Sequence, residues 1–495
     1  MHDLRRQALE SGKTVSRKAR SKQNSASSSH PSSPATSRAA SRNPSRNASS
    51  DEEGGGAGDV SDDGSTQWSS NSIDELLATP AASDDNTDAP ADAWKAELAE
   101  RMDRIVARKK SSAQSREENL SAYAHILAMR YARAEISGRI GEILPAVLKS
   151  VKAGTTEKEV VAALKGMLCS PCRWRSETGA LALTLITDPS DAIHSAVQQP
   201  LKQTITDSPH ASAKAAATHA LGVATFYGGA ASPEETQEVL DFLLEIVETD
   251  GGAAEAADDA ALVTAALEEW GLLATAVEDM EEPSEAAMEA FVDQLDAADV
   301  RVQIAAGENI ALLYEKSYTE LESDEEEGGD EEEGSASDSD HSSSSSSSFS
   351  SPPSSTKPHN NTAASGPKMK KRYTPYRRPD TLQHTLRALS KVSSRQLSKR
   401  DRKALHANFA DILHAVRHPT RGPRYRTALC EATGREYGSG MVLRVGNGGR
   451  GGVLRVDTWA KLLRLRALRR VLGAGVAVHL MANEGVFEVL PVVRR

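Results

Sequence analysis

The chain has few cysteines, few aromatic residues and no long apolar run. Three Cys among 495 residues exclude a disulfide-stapled secreted scaffold, and aromatic residues make up only 4% of the sequence. With 38% hydrophobic residues, the composition is too lean for one uniformly folded chain. No stretch reaches the roughly 18 apolar residues of a membrane span, and the first residues lack the apolar core of a signal peptide. We therefore expect a soluble chain in a reducing compartment, without a membrane partner.

Charge is distributed unevenly along the chain. The formal net charge is -11. Residues 1–50 hold 10 basic and 2 acidic side chains, a net charge of +8. Residues 234–321 hold 2 basic and 24 acidic side chains, a net charge of -22. Residues 366–495 hold 28 basic and 8 acidic side chains, a net charge of +20. The overall acidity therefore conceals two basic ends, and each of them is a candidate contact surface for a polyanion.

Two segments of low complexity are predicted to be disordered. Residues 1–92 form a Ser/Arg-rich tail, and residues 322–379 form an acidic and Ser-rich linker. Neither segment has enough apolar surface to offset the entropy of ordering. Within the tail, Arg-x-x-Ser recurs with a period of four and ends at Ser41, Ser45 and Ser49. Two interpretations stay open: sites for an arginine-directed kinase, or a tail that nothing modifies.

Residues 93–321 have the apolar spacing of successive helices. Turn signals at Thr156, Ser232 and Pro283 divide the region into roughly ten helices. Segments rich in small residues recur at 177–183, 213–222 and 301–313, which favours closely stacked repeats.

The predicted fold class is all-α, an armadillo/HEAT-like helical solenoid at 93–321 followed by a small, mainly helical C-terminal domain at 380–495. Asp299-Val300-Arg301, at the start of an Ala-rich segment, is typical of such repeats. An irregular helical bundle is the alternative, because the repeat spacing is uneven.

Three separated segments resemble one known family. They are Phe291–Glu315, Leu397–Lys403 with Phe409–Val416, and Val471–Glu488. In this order they resemble the interferon-related developmental regulator family, over about 90–320 and about 380–490 of the chain. The resemblance implies an armadillo-like region, a shorter C-terminal domain and a non-enzymatic role. Members of the family are described as factors that bind translationally inactive ribosomes and as transcriptional co-regulators.

The basic C-terminal region contains the candidate nucleic-acid contacts. An apolar stripe through Leu405, Phe409 and Ile412 predicts a helix from about Lys399 to Arg417. The motif Ser398-x-x-Asp401 is typical of the start of a helix and places its first residue near Lys399. Cations in its first turns are disfavoured by the helix dipole and therefore indicate an external anion. The candidate residues are Lys399, Arg400, Arg402, Lys403, Arg417, Arg421 and Arg424 and, on a second helix predicted from Asp457 to about Leu472, Lys461, Arg464, Arg469 and Arg470. A merely solubilising basic face is the alternative interpretation.

Signals for other chemistry are weak. Cys169 and Cys172 have Cys-x-x-Cys spacing without a second pair, so a structural role is favoured over a zinc site. His479 stands alone and is interpreted as a structural residue. Two copies of Val-Leu-Arg-Val, at 442–445 and 453–456, flank a Gly-rich stretch and are a candidate hairpin.

The sequence therefore predicts a protein that is not an enzyme, with no cofactor and no metal site. The favoured function is ribosome and rRNA binding in translational regulation, in the cytoplasm. The alternative is a nuclear co-regulator that recruits protein partners through its helical repeats. The oligomeric state stays open.

Overall fold

The structure is a computed structural model. It describes residues 92–108, 111–164, 179–189, 191–228, 232–320, 369–392, 397–423, 426–429, 436–439, 441–445 and 451–493. Residues 1–91 of the predicted tail and 322–368 of the predicted linker lie outside the described residues, as do Cys169, Cys172 and Arg424.

The described residues are predominantly helical. The helices of the repeat region are α1 (Ala93–Val106), α2 (Ala113–Met129), α3 (Arg133–Ile136), α4 (Ile140–Ala153), α5 (Glu157–Leu164), α6 (Ala180–Thr187), α7 (Asp191–Asp207), α8 (Ala211–Tyr227), α9 (Pro233–Glu248), α10 (Ala260–Ala274), α11 (Glu281–Asp293) and α12 (Val300–Lys316). The helices of the C-terminal region are α13 (Pro379–Leu389), α14 (Lys399–Arg417), α15 (Trp459–Leu472), α16 (Val476–Ala482) and α17 (Glu484–Val489).

The repeat-region helices are stacked in two layers. In the inner layer α2, α6, α8, α10 and α12 each pack against the next. In the outer layer α1 packs on α4, α4 packs on α7, and α9 packs on α11, while the 3-10 turn Gly252–Ala254 contacts both α7 and α9. The predicted helical solenoid is thereby confirmed.

Small residues are what allow the inner helices to approach closely. A Cβ atom added to Gly222 of α8 would collide with the Glu269 side chain of α10, and one added to Gly271 would collide with Asn309 of α12. Asn309 uses this close approach to donate from Nδ2 to the Leu267 carbonyl at 2.8 Å. The small-residue segments that predicted stacking therefore lie where the helices meet.

Helices α13 and α14 continue the same stack on the far side of the linker. Helix α14 packs against α12 and against α13, in the arrangement of the preceding pairs. A Cβ atom at Gly307 of α12 would lie 2.7 Å from Ile412 Cδ1 and 3.0 Å from Phe409 Cε1, so the two helices are in direct contact. The predicted domain plan placed a boundary at 380, and the structure adds that helices on both sides of the linker share one core.

Three two-stranded antiparallel ribbons accompany the helices. Strands β1 (Tyr318–Glu320) and β2 (Met369–Lys371) pair, so the two ends of the linker meet. Strand β3 (Arg426–Leu429) pairs with β4 (Glu436–Ser439). Strand β5 (Met441–Val445) pairs with β6 (Gly452–Val456), which confirms the hairpin predicted from the two Val-Leu-Arg-Val copies.

Hydrogen-bonded caps define where the C-terminal helices begin. Ser398 Oγ accepts from the Asp401 backbone N–H at 3.0 Å, so α14 begins and ends where the sequence predicts. Thr458 Oγ1 accepts from the Lys461 N–H at 3.2 Å, which starts α15 two residues after the predicted Asp457.

The segment from α15 to α17 lies across inner helices of the repeats. Gly475 touches the Ala128 carbonyl of α2, and a Cβ atom there would overlap that oxygen. His479 Nε2 donates to the Leu127 carbonyl at 2.9 Å, and Asn483 Nδ2 donates to the Ile186 carbonyl at 2.9 Å. The predicted structural role of His479 agrees with this buried position, and burial lowers its pKa to about 4.

The close contact at Gly475 predicts a strong response to a single methyl group. Gly475→Ala should destabilise the chain by about 1–3 kcal/mol, because the rigid Ala128 carbonyl cannot move away cheaply. Gly141→Ala on α4 is the matched control, since nothing lies within 4 Å of its added Cβ, and it should stabilise by about 0.5–1 kcal/mol. Thermal unfolding of both variants measures the difference. Equal shifts would contradict the contact.

Cutting the linker should leave the two halves associated. With a protease site placed between 322 and 366, the cleaved fragments should co-elute in gel filtration at physiological salt, because α14 packs on α12 and α15 on α10. They should separate only in denaturant. Separation of the native fragments would show that the helices on the two sides of the linker do not share a core.

The burial of His479 predicts a loss of stability in acid. The unfolded His479 binds a proton near its ordinary pKa of 6.5, whereas the folded residue resists protonation until about pH 4. The contribution of His479 to the free energy of unfolding is therefore complete above pH 6.5. It falls by up to about 3 kcal/mol as the pH drops to 4. His479→Gln, which keeps an amide donor, should lack this component. Urea unfolding of the unmutated protein and the variant between pH 4 and pH 7 measures this difference. If the free energies of unfolding of the two proteins fall in parallel with pH, the prediction is wrong.

Candidate nucleic-acid interface

Helix α14 has one buried face and one cationic face. Leu405, Phe409 and Ile412 are buried against the stack. The exposed positions on the opposite side follow helical spacing and are Lys399, Lys403, His406, Ala410 and Arg417. The apolar stripe thus fixes the rotation of the helix, and the rotation directs Lys399, Lys403 and Arg417 towards solvent.

The first turns of α14 concentrate positive charge. Lys399, Arg400 and Lys403 are exposed, and neither lysine pairs with an acidic side chain among the described residues. Arg402 is half-buried, and its Nε atom has no hydrogen-bond partner in the described part of the chain. Asp401 is the acidic residue of this turn. Four cations against one carboxylate, at the positive end of a helix dipole, form a surface suited to an anion.

The other end of α14 carries a second basic cluster. Arg417 and Arg421 both lie near His414, whose pKa is lowered by burial and then by His418 and these two arginines. The His414 and His418 rings are 5.0 Å apart, and Arg417 Nε donates to Gln383 Oε1 at 3.3 Å. The 19 residues of α14 separate the two clusters by about 28 Å, given the ordinary rise of a helix.

Arg464 of α15 binds the repeats rather than facing solvent. Its Nε and Nη2 atoms donate to the hydroxyl and the carbonyl of Thr275, each at 2.9 Å. The guanidinium carbon lies 5.7 Å from the centre of the Phe226 ring, and burial lowers the Arg464 pKa. Lys461, by contrast, is partly exposed at the start of α15 and pairs with Asp457 at 2.6 Å.

Arg470 of α15 enters a buried cluster of charges. It pairs with Glu268 at 2.8 Å and with the completely buried Glu269. His219 Nδ1 lies 2.8 Å from the same Glu269 oxygen. Burial raises the Glu269 pKa to about 7, and Arg470 opposes that rise. Arg470 therefore balances acidic side chains of α10 inside the protein.

The remaining charges of α15 are also engaged or half-buried. Arg466 pairs with the buried Glu308, and burial lowers the Arg466 pKa to about 10. Burial also lowers the pKa of Arg469. The Glu315 carboxylate accepts from the N–H groups of Trp459 at 2.6 Å and Ala460 at 3.0 Å, so a side chain of α12 caps α15.

The structure therefore divides the candidate residues into two groups. The α14 group, with the neighbouring Arg421, is brought together on one element, whereas Arg464 and Arg470 are committed to the acidic repeats. The sequence analysis missed Glu269, Glu308 and Glu315 as partners of α15. The signal that could have found these partners is the opposite net charge of residues 234–321 and residues 366–495. It predicts that the basic region binds an anion, but it does not show whether that anion is RNA or the acidic region of the same chain.

Other site types have little support among the residues that the structure describes. No group of three or more His, Cys, Asp and Glu side chains is placed there to hold a metal ion. None of the described helices combines the length and the apolar character needed to cross a membrane.

Comparison with known proteins connects the stack to a family. The family model described as Interferon-related developmental regulator (IFRD) matches residues 63–417, and so ends at the last residue of α14. An uncharacterized protein of Schizosaccharomyces pombe is 26% identical over 388 residues, which cover 78% of this chain and 72% of that protein. Because the family model spans well over half of the sequence, the chain belongs to the interferon-related developmental regulator family.

Proposed function

We propose that this protein is a non-enzymatic regulator of translation that binds ribosomal RNA through the exposed face of α14. The observation that carries the proposal is the row of outward-facing cations Lys399, Lys403 and Arg417 on a helix whose other face is fixed in the stack. The flanking Arg400, Arg402 and Arg421 add to the same surface. Its family membership agrees with this function, since ribosome binding is one activity that the family resemblance implies.

The dimensions of this surface suit a folded RNA backbone. The two basic clusters lie at opposite ends of a helix about 28 Å long, a distance that covers several successive phosphates of a strand. Guanidinium groups bind phosphate oxygens in a bidentate manner, while lysines act as point charges. These contacts orient a protein on RNA and read shape rather than base sequence. A structured ribosomal RNA is therefore a better fit than a specific short sequence.

Contacts inside the protein remove most of the α15 arginines from the proposed surface. Arg464, Arg466 and Arg470 already pair with or donate to groups of the repeats, and withdrawing them would leave buried carboxylates unpaired. We accordingly assign Lys461 and Arg469 at most a peripheral role. The net charge of -22 on residues 234–321 repels RNA and so helps to orient the protein with α14 towards it.

A second candidate function is a nuclear co-regulator that binds a basic protein partner. The specific observation in its favour is the exposed acidic surface of the outer helices α9 and α11. Exposed acidic side chains there are Glu238, Asp241, Glu245, Glu281, Glu282 and Glu285. Such a surface fits a basic peptide. The co-regulator function leaves the cations of α14 without a role, so we rank it second.

Charge reversal on α14 tests the proposed function. The triple variant Lys399→Glu, Lys403→Glu and Arg417→Glu should lose co-sedimentation with ribosomes, and the slope of log affinity against log salt for an rRNA fragment should fall by about three. Glu at position 399, in the first turn of α14, is favourable by about 0.3–1 kcal/mol, whereas Glu at position 417, in the last turn, is unfavourable by a similar amount. The two effects oppose each other, so the triple variant should keep α14 folded. Sucrose gradients and filter binding give the two readouts.

The matched control has the same change in net charge at the other end of the stack. Lys149→Glu, Lys152→Glu and Lys158→Glu alter exposed cations of α4 and α5 and should leave ribosome binding within about twofold. If the α14 variant co-sediments like the unmodified protein, the ribosome proposal is wrong. The co-regulator function would then be tested by reversing the charge of exposed acidic side chains on α9 and α11.

A further inference from the structure

Ser398 occupies an unusual position in the basic surface of α14. Its Oγ atom accepts from the Asp401 N–H at 3.0 Å and donates to Asp401 Oδ2 at 2.7 Å, which makes it the cap of the helix. The residue is exposed, and Lys399 and Arg400 follow it directly. In the sequence, Arg395 stands three residues before it, in the order Arg-Gln-Leu-Ser. A hydroxyl group is thus exposed at the most cationic point of the helix, with an arginine at the spacing that arginine-directed protein kinases read.

We propose that Ser398 is a phosphorylation site of an arginine-directed protein kinase and that its phosphate releases the protein from RNA. The inference rests on the proposed function, because it assigns a means of control to the same surface. It differs from the Arg-x-x-Ser series of the tail in that Ser398 lies within the candidate interface itself.

The chemistry is an ordinary phosphoryl transfer with ATP as the donor. The Ser398 hydroxyl oxygen forms a bond to the γ-phosphorus, the bond from that phosphorus to the β,γ-bridging oxygen breaks, and ADP leaves with the bonding electrons. The hydroxyl proton passes to a carboxylate base of the kinase. Within the substrate, Ser398 gives up its hydrogen bond to Asp401 when the hydroxyl is turned towards ATP.

The chain contains an internal comparison for this site at Ser390. Arg387-Ala-Leu-Ser390 repeats the same Arg-x-Leu-Ser pattern eight residues earlier. Ser390, however, caps the end of α13 with helical backbone angles, is half-buried, and donates from Oγ to the Arg387 carbonyl at 2.8 Å. Ser398 has an extended backbone, with φ -60° and ψ 154°. Protein kinases bind their peptides extended. At Ser398 the first turn of α14 has to open for this, because Lys399 begins the helix. At Ser390 the last turn of α13 has to unfold instead, because Arg387 lies within that helix, and the half-buried Ser390 side chain has to leave its bond to the Arg387 carbonyl. The exposure of Ser398 therefore favours it over Ser390.

The phosphate would change the electrostatics of the surface at its centre. Residues 399–403 hold four cations and one carboxylate, a net +3. A phosphoserine adds about -1.5 to -2, which leaves about +1. Arg402 stands four residues beyond Ser398, the spacing at which side chains at one end of a helix can pair, and a guanidinium is a strong partner for a phosphate. The phosphate would also displace the Asp401 carboxylate, which Ser398 Oγ contacts at 2.7 Å and which repels a second negative charge. The helix N-terminus and the neighbouring cations offset this repulsion. The same cations would then be engaged by the internal phosphate instead of an RNA phosphate.

The first experiment asks where the phosphate goes. The full chain is incubated with an arginine-directed protein kinase and ATP, and the products are mapped by mass spectrometry. We expect Ser398 to be modified about tenfold faster than Ser390, because the Ser398 side chain is exposed whereas Ser390 is half-buried and bonded to the Arg387 carbonyl. Equal rates at the two serines, or no modification of Ser398, would overturn the proposal.

The second experiment asks what the phosphate does. Kinase-treated unmutated protein should bind an rRNA fragment about tenfold more weakly than the untreated protein, with a salt slope lower by about one. Kinase-treated Ser398→Ala, which keeps every other phosphorylation site, should bind like its untreated form. Ser398→Asp retains a cap residue and should weaken binding, whereas Ser232→Asp, at the cap of acidic helix α9, should not.

These arms separate the two proposals. If the untreated protein fails to bind rRNA, the proposed function fails irrespective of Ser398. If the untreated protein binds and the Ser398-phosphorylated protein binds equally well, the function stands and the regulatory inference is refuted. A loss of binding that kinase-treated Ser398→Ala shares with the unmutated protein would also refute it, since the effect would then belong to other phosphates.

Discussion

The ion pair between Arg470 and Glu269 is the constraint on which the docking of α15 against the repeats depends. Glu269 is completely buried on α10, where an unpaired carboxylate would be strongly disfavoured, and Arg470 reaches it from α15. Removing one partner of such a pair typically costs about 3–5 kcal/mol, because the other charge stays buried. Gly222 has to lack a side chain for Glu269 to fit. One pair therefore ties α8, α10 and α15 into a single arrangement.

This pairing explains why similar cations have different roles in α14 and α15. Each helix has several Lys and Arg residues, but α15 lies across acidic helices and places Arg466 and Arg470 against their carboxylates. Helix α14 enters the stack through apolar contacts with α12, and its Lys399, Lys403 and Arg417 are exposed. The high positive charge of the C-terminal region is thus partly structural. Among the candidate residues that the structure describes, Lys399, Lys403 and Arg417 of α14 are exposed to an external anion, whereas Arg464 and Arg470 bind the repeats.

Local features of this fold could be predicted from the sequence, and the docking could not. The limits of α14 follow from its apolar stripe and its Ser398 cap, and the β5–β6 hairpin follows from the repeated Val-Leu-Arg-Val, since all of these signals lie within a few residues of each other. The partners of α15 lie far away in the chain: Arg470 and Glu269 are 201 residues apart. An arginine on a helix has the same local pattern whether its partner is a phosphate or a distant carboxylate. The local sequence therefore does not indicate that Arg464 and Arg470 bind groups of the repeats.

The position of α14 is independent of the length of the linker that precedes its helical pair. Glu320 pairs with Met369 in the β1–β2 ribbon, so the last described residue before the linker segment and the first one after it lie side by side. A loop whose ends are held together adds closure entropy only logarithmically with length, which lets this segment vary at little cost to the stack. The rotation of α14 is then determined by Phe409 and Ile412 against Gly307 of α12. The main chain of the cationic face is consequently held by the inner layer that supports it. Binding an RNA backbone then has to order the Lys and Arg side chains of α14 but not its main chain, so it loses less entropy than the binding of an unfolded basic segment would.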